Sequence, residues 1–190
     1  PAAPDLMRAV DGILNQWCVP LAQMVIGSQA MIAPDVLALA RFHRLVELEY
    51  LALENPRLEA NSRPKNLHFK SHAAHHPSRL REVLMETYEG NLDCPQLNDL
   101  RDPADVIVSY QAQGEYKEEN WLLVQMDGRD VGVLILADHD GGKVVELVYM
   151  GVIPKARGHS YGDEILRHAI YHAAAGNAER LVLAVDTQNG

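Results

Sequence analysis

The run Met150-Gly151-Val152-Ile153-Pro154-Lys155-Ala156-Arg157-Gly158-His159-Ser160-Tyr161-Gly162 passes from the end of an apolar strand, through a proline and a basic turn, into the start of a helix. A strand that feeds a glycine-containing turn into a helix N-terminus aims unpaired backbone N–H groups at one point. The helix dipole adds partial positive charge there, so the place suits a phosphate or pyrophosphate. Lys155, Arg157 and, when protonated, His159 add local positive charge. An ordinary loop with a basic rim has the same composition, so the flanking elements must decide.

Lys143–Ile153 is predicted as one strand; after the turn a helix spans about Asp163–Ala175, followed by a last strand, Arg180–Val185. Trp121–Met126, the turn Asp127-Gly128-Arg129 and Val131–Ala137 form a hairpin pattern. Pro77 and Pro103 open helices that carry Leu80, Val83, Leu84, Tyr88 and Val106, Ile107, Tyr110. Leu67–Ser71 is a candidate short strand, and Asn91–Asp102 is a loop.

Nearer the N-terminus, Leu6, Val10, Ile13, Leu14 and Trp17 recur at helical spacing from Asp5 to about Val19, and Pro20 ends the helix. Leu21–Gly27 reads as a buried strand and Ala33–Phe42 as a helix. In Arg44–Glu54, Val46, Leu48 and Tyr50 alternate with Glu47 and Glu49, the period of a half-buried strand. Residues 56–65 are polar with two prolines and read as a linker. The expected organisation is a partial domain over 1–55 (helix-strand-helix-strand), a linker over 56–65 and a second domain over 66–190.

A formal net charge of −9 argues against general affinity for nucleic acid or an anionic membrane. An anionic ligand must be held by a local patch of donors. Cys18 and Cys94 have no paired spacing, which argues against a disulfide framework and makes a reducing cytoplasm the expected location. The longest clearly apolar stretch, around Val131–Ala137, is far short of a membrane span. Pro1-Ala2-Ala3-Pro4 lacks the layout of a signal peptide. It also lacks an initiator Met, so a processed, trimmed or internal piece of a longer chain is expected.

Arg157-Gly158-His159-Ser160-Tyr161-Gly162 resembles the pyrophosphate loop of the GNAT (N-acetyltransferase) superfamily. That loop has the pattern Arg/Gln-x-x-Gly-x-Gly/Ala after the fourth strand and opens the third helix; Pro154 also stands at the family's usual place. Ser160 departs from the pattern, standing where the central Gly is usual. Its hydroxyl can donate to a phosphate, but Ser adopts φ > 0 less cheaply than Gly, which bears on how closely the phosphate approaches. Over Asn66–Gly190 the order strand, two helices, three strands, helix, strand is also that of the family. The fold class expected is α/β, an acyl-CoA N-acyltransferase-like mixed, mostly antiparallel sheet flanked by helices.

The resemblance implies acetyl-CoA as cosubstrate and acyl transfer to an amine on a small molecule or peptide. In the family the fourth and fifth strands splay, and pantetheine fills the gap by strand-like bonds to the fourth. That assigns Met150, Gly151 and Val152 to the acyl and pantetheine part, and Arg157, Gly158, His159, Ser160, Tyr161 and Gly162 to the pyrophosphate. Asn189 matches an Asn that often contacts the cofactor. The acceptor amine must lose a proton, and Glu146 lies near where several family members carry a base; a strand glutamate facing solvent is the other reading. A general-acid Tyr often sits on the helix after the fifth strand, but the sequence ends at Asn189-Gly190.

The N-terminal third resembles the second half of a GNAT domain, with Ala40-Arg41-Phe42 near the family's Gly-Phe. The chain is therefore expected to be a piece of a tandem acetyltransferase, similar to mycothiol synthase-like proteins. The other origin is N-terminal elements that pack beside the second domain and supply what it lacks. A second copy of the chain is a further expected partner. The alternative function is a catalytically silent acyl-CoA-binding or interface module, which Ser160 and the missing Tyr favour.

Other clusters carry less. His68, His72, His75 and His76 would share a face of a continuous helix and suit a metal, but Pro77 biases His76 away from helical geometry and favours a loop. His168 and His172 form an i,i+4 pair with no third ligand evident. Asp138–Gly142 lacks calcium-loop spacing, Cys94 has no adjacent His, and Glu86, Glu89 and Asp93 read as a solvated face. No metal is expected.

Overall fold

The structure, a computed structural model, describes residues 3–60, 66–71, 77–97 and 102–188. It divides into two compact units, Pro1–Val46 and Glu47–Gly190.

The first unit holds α1 (Ala3–Gln16) and α2 (Pro34–Ala38). Arg41 follows α2 and reaches α1, with Nε donating to Asp11 Oδ1 at 2.8 Å and Nη2 to Asn15 Oδ1 at 2.6 Å. Leu21–Gly27 is not a strand, contrary to expectation, and Met24, Val25 and Ile26 are exposed. A short apolar run is only a candidate strand; to become one it also needs a neighbouring edge for its N–H and C=O groups.

The second unit runs β1 (Leu48–Glu54), β2 (His68–Ser71), α3 (Pro77–Tyr88), α4 (Pro103–Gln111), β3 (Trp121–Met126), β4 (Arg129–His139), β5 (Val144–Val152), α5 (Tyr161–Ala175) and β6 (Arg180–Asp186). The strands form one mixed sheet in the order β1-β6-β5-β4-β3-β2, antiparallel except for the β5–β6 pair. Helices flank it, as expected.

The boundary differs from the expected one. β1 pairs along its whole length with β6, from Leu48 opposite Asp186 to Glu54 opposite Arg180. Asn55 N–H to Glu179 O (2.8 Å) and Thr187 N–H to Glu47 O (3.0 Å) extend the ladder at both ends. The strand expected over Arg44–Glu54 thus exists from Leu48 onward. Its partner is β6, not Leu21–Gly27, and the division falls before it rather than after it.

Alternation along the central strands sorts the core into two layers. Leu122, Val124, Leu134 and Leu136 pack with Ile165, Ala169 and Ala173, a four-residue repeat along α5. Trp121, Leu123, Val133 and Ile135 pack with Leu80, Val83 and Leu84 of α3 and Val106 and Tyr110 of α4. At ~25 cal/mol per Å² of apolar surface removed from water, each fully covered Leu or Ile contributes about 2 kcal/mol. No helix among the described residues is long and apolar enough to cross a membrane.

Candidate acyl-CoA site

β5 changes face part-way along. Tyr149 stands opposite Ile135 while Leu147 stands opposite Leu136, so Val148 is an extra residue in the ladder. Such a bulge bends a strand and increases its twist. Val145 and Leu147 accordingly pack toward α5, but Tyr149 packs toward α3 and α4.

The bulge lies where β5 and β6 part. They pair only over Val144–Leu147 and Arg180–Leu183, after which β6 continues against β1. Tyr149–Val152 keep β4 on one side. Ile153 N–H donates to Val131 O at 3.0 Å. By the alternation of an antiparallel ladder, Gly151 and Tyr149 also bond toward β4. Met150 and Val152 turn their N–H and C=O groups toward the open edge.

A cleft of about 410 Å³ lies along this edge, lined by Tyr149–Val152, Arg157, Gly162 and Ile165, with Thr87 and Gly90–Leu92 completing it. Gly151 is required by close approach: a Cβ there would lie 2.7 Å from both Thr87 Cβ and the Tyr149 hydroxyl oxygen. Thr87 Oγ1 donates to Leu84 O at 2.6 Å, which uses its single proton; the 2.8 Å contact with Tyr149 is therefore Tyr149 donating to Thr87. Burial pushes the Tyr149 phenol above its ordinary range, against the Thr87 bond that lowers it, so the hydroxyl stays protonated.

Below the cleft the chain turns through Pro154–Ala156 into α5. The first bond within α5 is Glu164 N–H to Ser160 O at 3.4 Å. Tyr161, Gly162 and Asp163 N–H precede it, and the Ser160 side chain caps none of them. Tyr161 and Gly162 are among the residues expected at the pyrophosphate, and Asp163 is not. His159 Nδ1 lies 3.0 Å from Arg157 O, and its ring stacks on Tyr161 at 5.4 Å, bracing the turn.

Gly158 has φ 80° and Ser160 has φ 59°, so Ser160 adopts the conformation that Gly holds more cheaply. Left-handed backbone costs a non-glycine residue ~1–2 kcal/mol, while a new glycine costs about 0.4–1 kcal/mol through the unfolded chain. Ser160→Gly is therefore expected to raise the melting temperature by no more than about 6 °C. It should tighten coenzyme A binding by clearing space before the α5 amides. Calorimetric titration checks this; weaker binding would show that the hydroxyl itself holds phosphate.

Arg157, expected at the pyrophosphate, meets main chain in this structure. Its guanidinium is occupied by main-chain carbonyls, donating from Nε to Val152 O at 3.1 Å, from Nη1 to Gly90 O at 3.2 Å and from Nη2 to Thr87 O at 3.0 Å. Glu146 lies up-strand, beyond the cleft lining, with Oε2 2.7 Å from His139 Nε2. Asn189 falls outside the described residues, as do His72, His75 and His76.

The remaining clusters make contacts within the fold. His168 stacks on Phe69 at 3.6 Å. Burial lowers the pKa of His172, against Asp138 and Glu119, so the ring is neutral at pH 7. Asp138, at the end of β4, is held by Lys117 Nζ at 2.7 Å and Asn120 Nδ2 at 3.2 Å. Asp93, Cys94 and Asp186 bring their side chains together. Buried Asp186 accepts from Cys94 N–H and Gln188 N–H, and Asp93 accepts from Asp186 N–H. This straps the α3–α4 connection to the end of β6. Asp93 thus leaves the solvated face expected with Glu86 and Glu89.

Residues 79–190 match the Acetyltransferase (GNAT) family. The chain belongs to that family. Among solved structures, a functionally unknown conserved protein from Staphylococcus epidermidis superposes with a TM-score of 0.54 at 16% identity, covering 84% of this chain and 59% of that one. A GCN5-related N-acetyltransferase from Sphaerobacter thermophilus superposes with a TM-score of 0.51 at 15% identity, covering 77% of this chain and 45% of that one. The likeness is one of fold, and this chain spans about half the length of those proteins. No curated protein matches.

Sequence reasoning missed Thr87, Tyr149 and His139. Their signal lies in register: His139 meets Glu146 only because Ala137 stands opposite Glu146 and Val144 opposite His139, a diagonal neighbour on one sheet face.

Proposed function

We propose that the chain binds acyl-CoA and transfers its acyl group, most simply acetyl, to an amine on a small molecule or peptide. What carries this reading is the continuity of the open β5 edge at Met150–Val152 with the uncapped start of α5. Pantetheine amides pair with Met150 and Val152, and the pyrophosphate takes the N–H groups of Tyr161, Gly162 and Asp163. The thioester end points up-strand toward Glu146. There the ammonium of the acceptor gives one proton to the carboxylate, the free amine attacks the thioester carbon, and the C–S bond breaks; the nitrogen's second proton passes to the departing thiolate, so the products are the amide and coenzyme A thiol. His139 holds one carboxylate oxygen.

β1 against β6 supports the reading that this strand belongs to the domain that carries the site, rather than to half of a preceding one. Two cysteines without a disulfide fit a reducing cytoplasm.

Glu146 outside the cleft lining favours a second reading, a silent acyl-CoA-binding module. Acetyl-CoA at about 100 times its Kd is expected to stabilise the protein by ~2.7 kcal/mol, a rise in melting temperature of roughly 5–10 °C for a chain of this size. No shift at saturating ligand would refute both readings. A shift with no thiol release across a panel of amines would leave the silent module.

A further inference from the structure

We infer that Arg157 is a positioning residue that joins the two walls of the cleft and ends the ligand's path along β5, rather than a contact to phosphate. The inference rests on the acyl-CoA reading above.

Its planar guanidinium bridges main chain from two elements. Thr87 and Gly90 lie in the last turn of α3 and just beyond it, where carbonyls lack helical partners and the dipole favours a cation. Val152 closes β5, and its carbonyl faces the open edge. Gly90 has φ 60°, and a Cβ there would sit 3.3 Å from Nη1, so a glycine admits the side chain. Only a fork of fixed geometry spans all three carbonyls; a lysine offers one point charge.

The ligand's path follows. With the Val152 carbonyl taken, an extended amide chain on this edge is left Met150 N–H, Met150 C=O and Val152 N–H. Pairing stops at Val152, which fixes where pantetheine leaves the strand and turns toward α5. Arg157 therefore acts on the pantetheine half of the ligand, through the backbone that the ligand touches.

The test compares the wild type with Arg157→Gln and Arg157→Lys, by titration with coenzyme A, pantetheine, and 3′-phospho-ADP, which keeps the pyrophosphate but lacks pantetheine. Both variants are expected to weaken coenzyme A and pantetheine by about tenfold, the factor that ~1.4 kcal/mol represents. Binding of 3′-phospho-ADP and the salt dependence of coenzyme A binding should be unchanged. A loss confined to the two pyrophosphate-bearing ligands, restored by lysine and accompanied by a shallower salt dependence, would overturn the inference.

If the wild type binds none of the three, the acyl-CoA reading fails, and with it the ligand path. Hydrogen exchange then decides the clamp alone. Faster exchange at Glu89 and Asn91 in Arg157→Gln keeps it, and unchanged exchange removes it.

Discussion

Glu146→Gln is expected to lower acetyl transfer by about 10²–10⁴-fold, the usual contribution of a positioned base, while leaving coenzyme A affinity unchanged. The amide keeps the shape of the carboxylate, and its oxygen can still accept from His139 Nε2, so the local packing survives. What it loses is the capacity to take the proton from the acceptor's ammonium. The deficit should shrink as pH rises, because free amine then forms without help. Turnover measured across pH, beside a titration with coenzyme A, separates the two effects. Binding and rate both lost would mean that Glu146 shapes the site; neither lost would leave it an ordinary strand residue.

The parts of this fold legible in the sequence were those set by local chemistry. Pro77 and Pro103 start α3 and α4 because a missing N–H costs nothing in a first turn. Asp127-Gly128 supplies the positive φ that the β3–β4 turn needs, at 49° and 75°. The same reasoning located the strand-turn-helix of the candidate site to within two residues. Pairing partners were not legible. Leu48–Glu54 alternates whichever strand it meets, and only the sheet shows that it lies along β6.

The bulge at Val148 was hidden for a related reason. Val144–Val152 is apolar on both faces apart from Glu146, so no break in period marks the residue where the strand changes side. Arg157 shows a different ambiguity. A cation beside a helix N-terminus and a cation reaching the C-terminus of another helix look identical in one dimension. Its charge was evident, but the three carbonyls that use it come from Val152, Thr87 and Gly90.

Gly132→Ala gives the other large effect, on stability and binding together. A Cβ at Gly132 would lie 2.2 Å from the Gly151 carbonyl oxygen and 3.4 Å from Val152 Cα. Both are backbone atoms, so no side chain can swing aside and β4 must part from β5. Replacing glycine by alanine ordinarily gains about 0.4–1 kcal/mol through the unfolded chain. Overpacking in a fitted interior costs about 1–3 kcal/mol or more, so the clash wins. A net loss near 2 kcal/mol lowers the melting temperature by roughly 4–8 °C. Displacing the Gly151 carbonyl also moves Met150 and Val152, whose outward groups form the open edge, so coenzyme A should bind more weakly. Gly128→Ala is the control: its φ of 75° makes alanine strained, but nothing lies within 4 Å of the new Cβ, and the β3–β4 turn does not line the cleft. Both variants should melt lower, and only Gly132→Ala should lose affinity for coenzyme A. If Gly132→Ala melts lower yet binds coenzyme A as the wild type does, the ligand does not run along Met150–Val152.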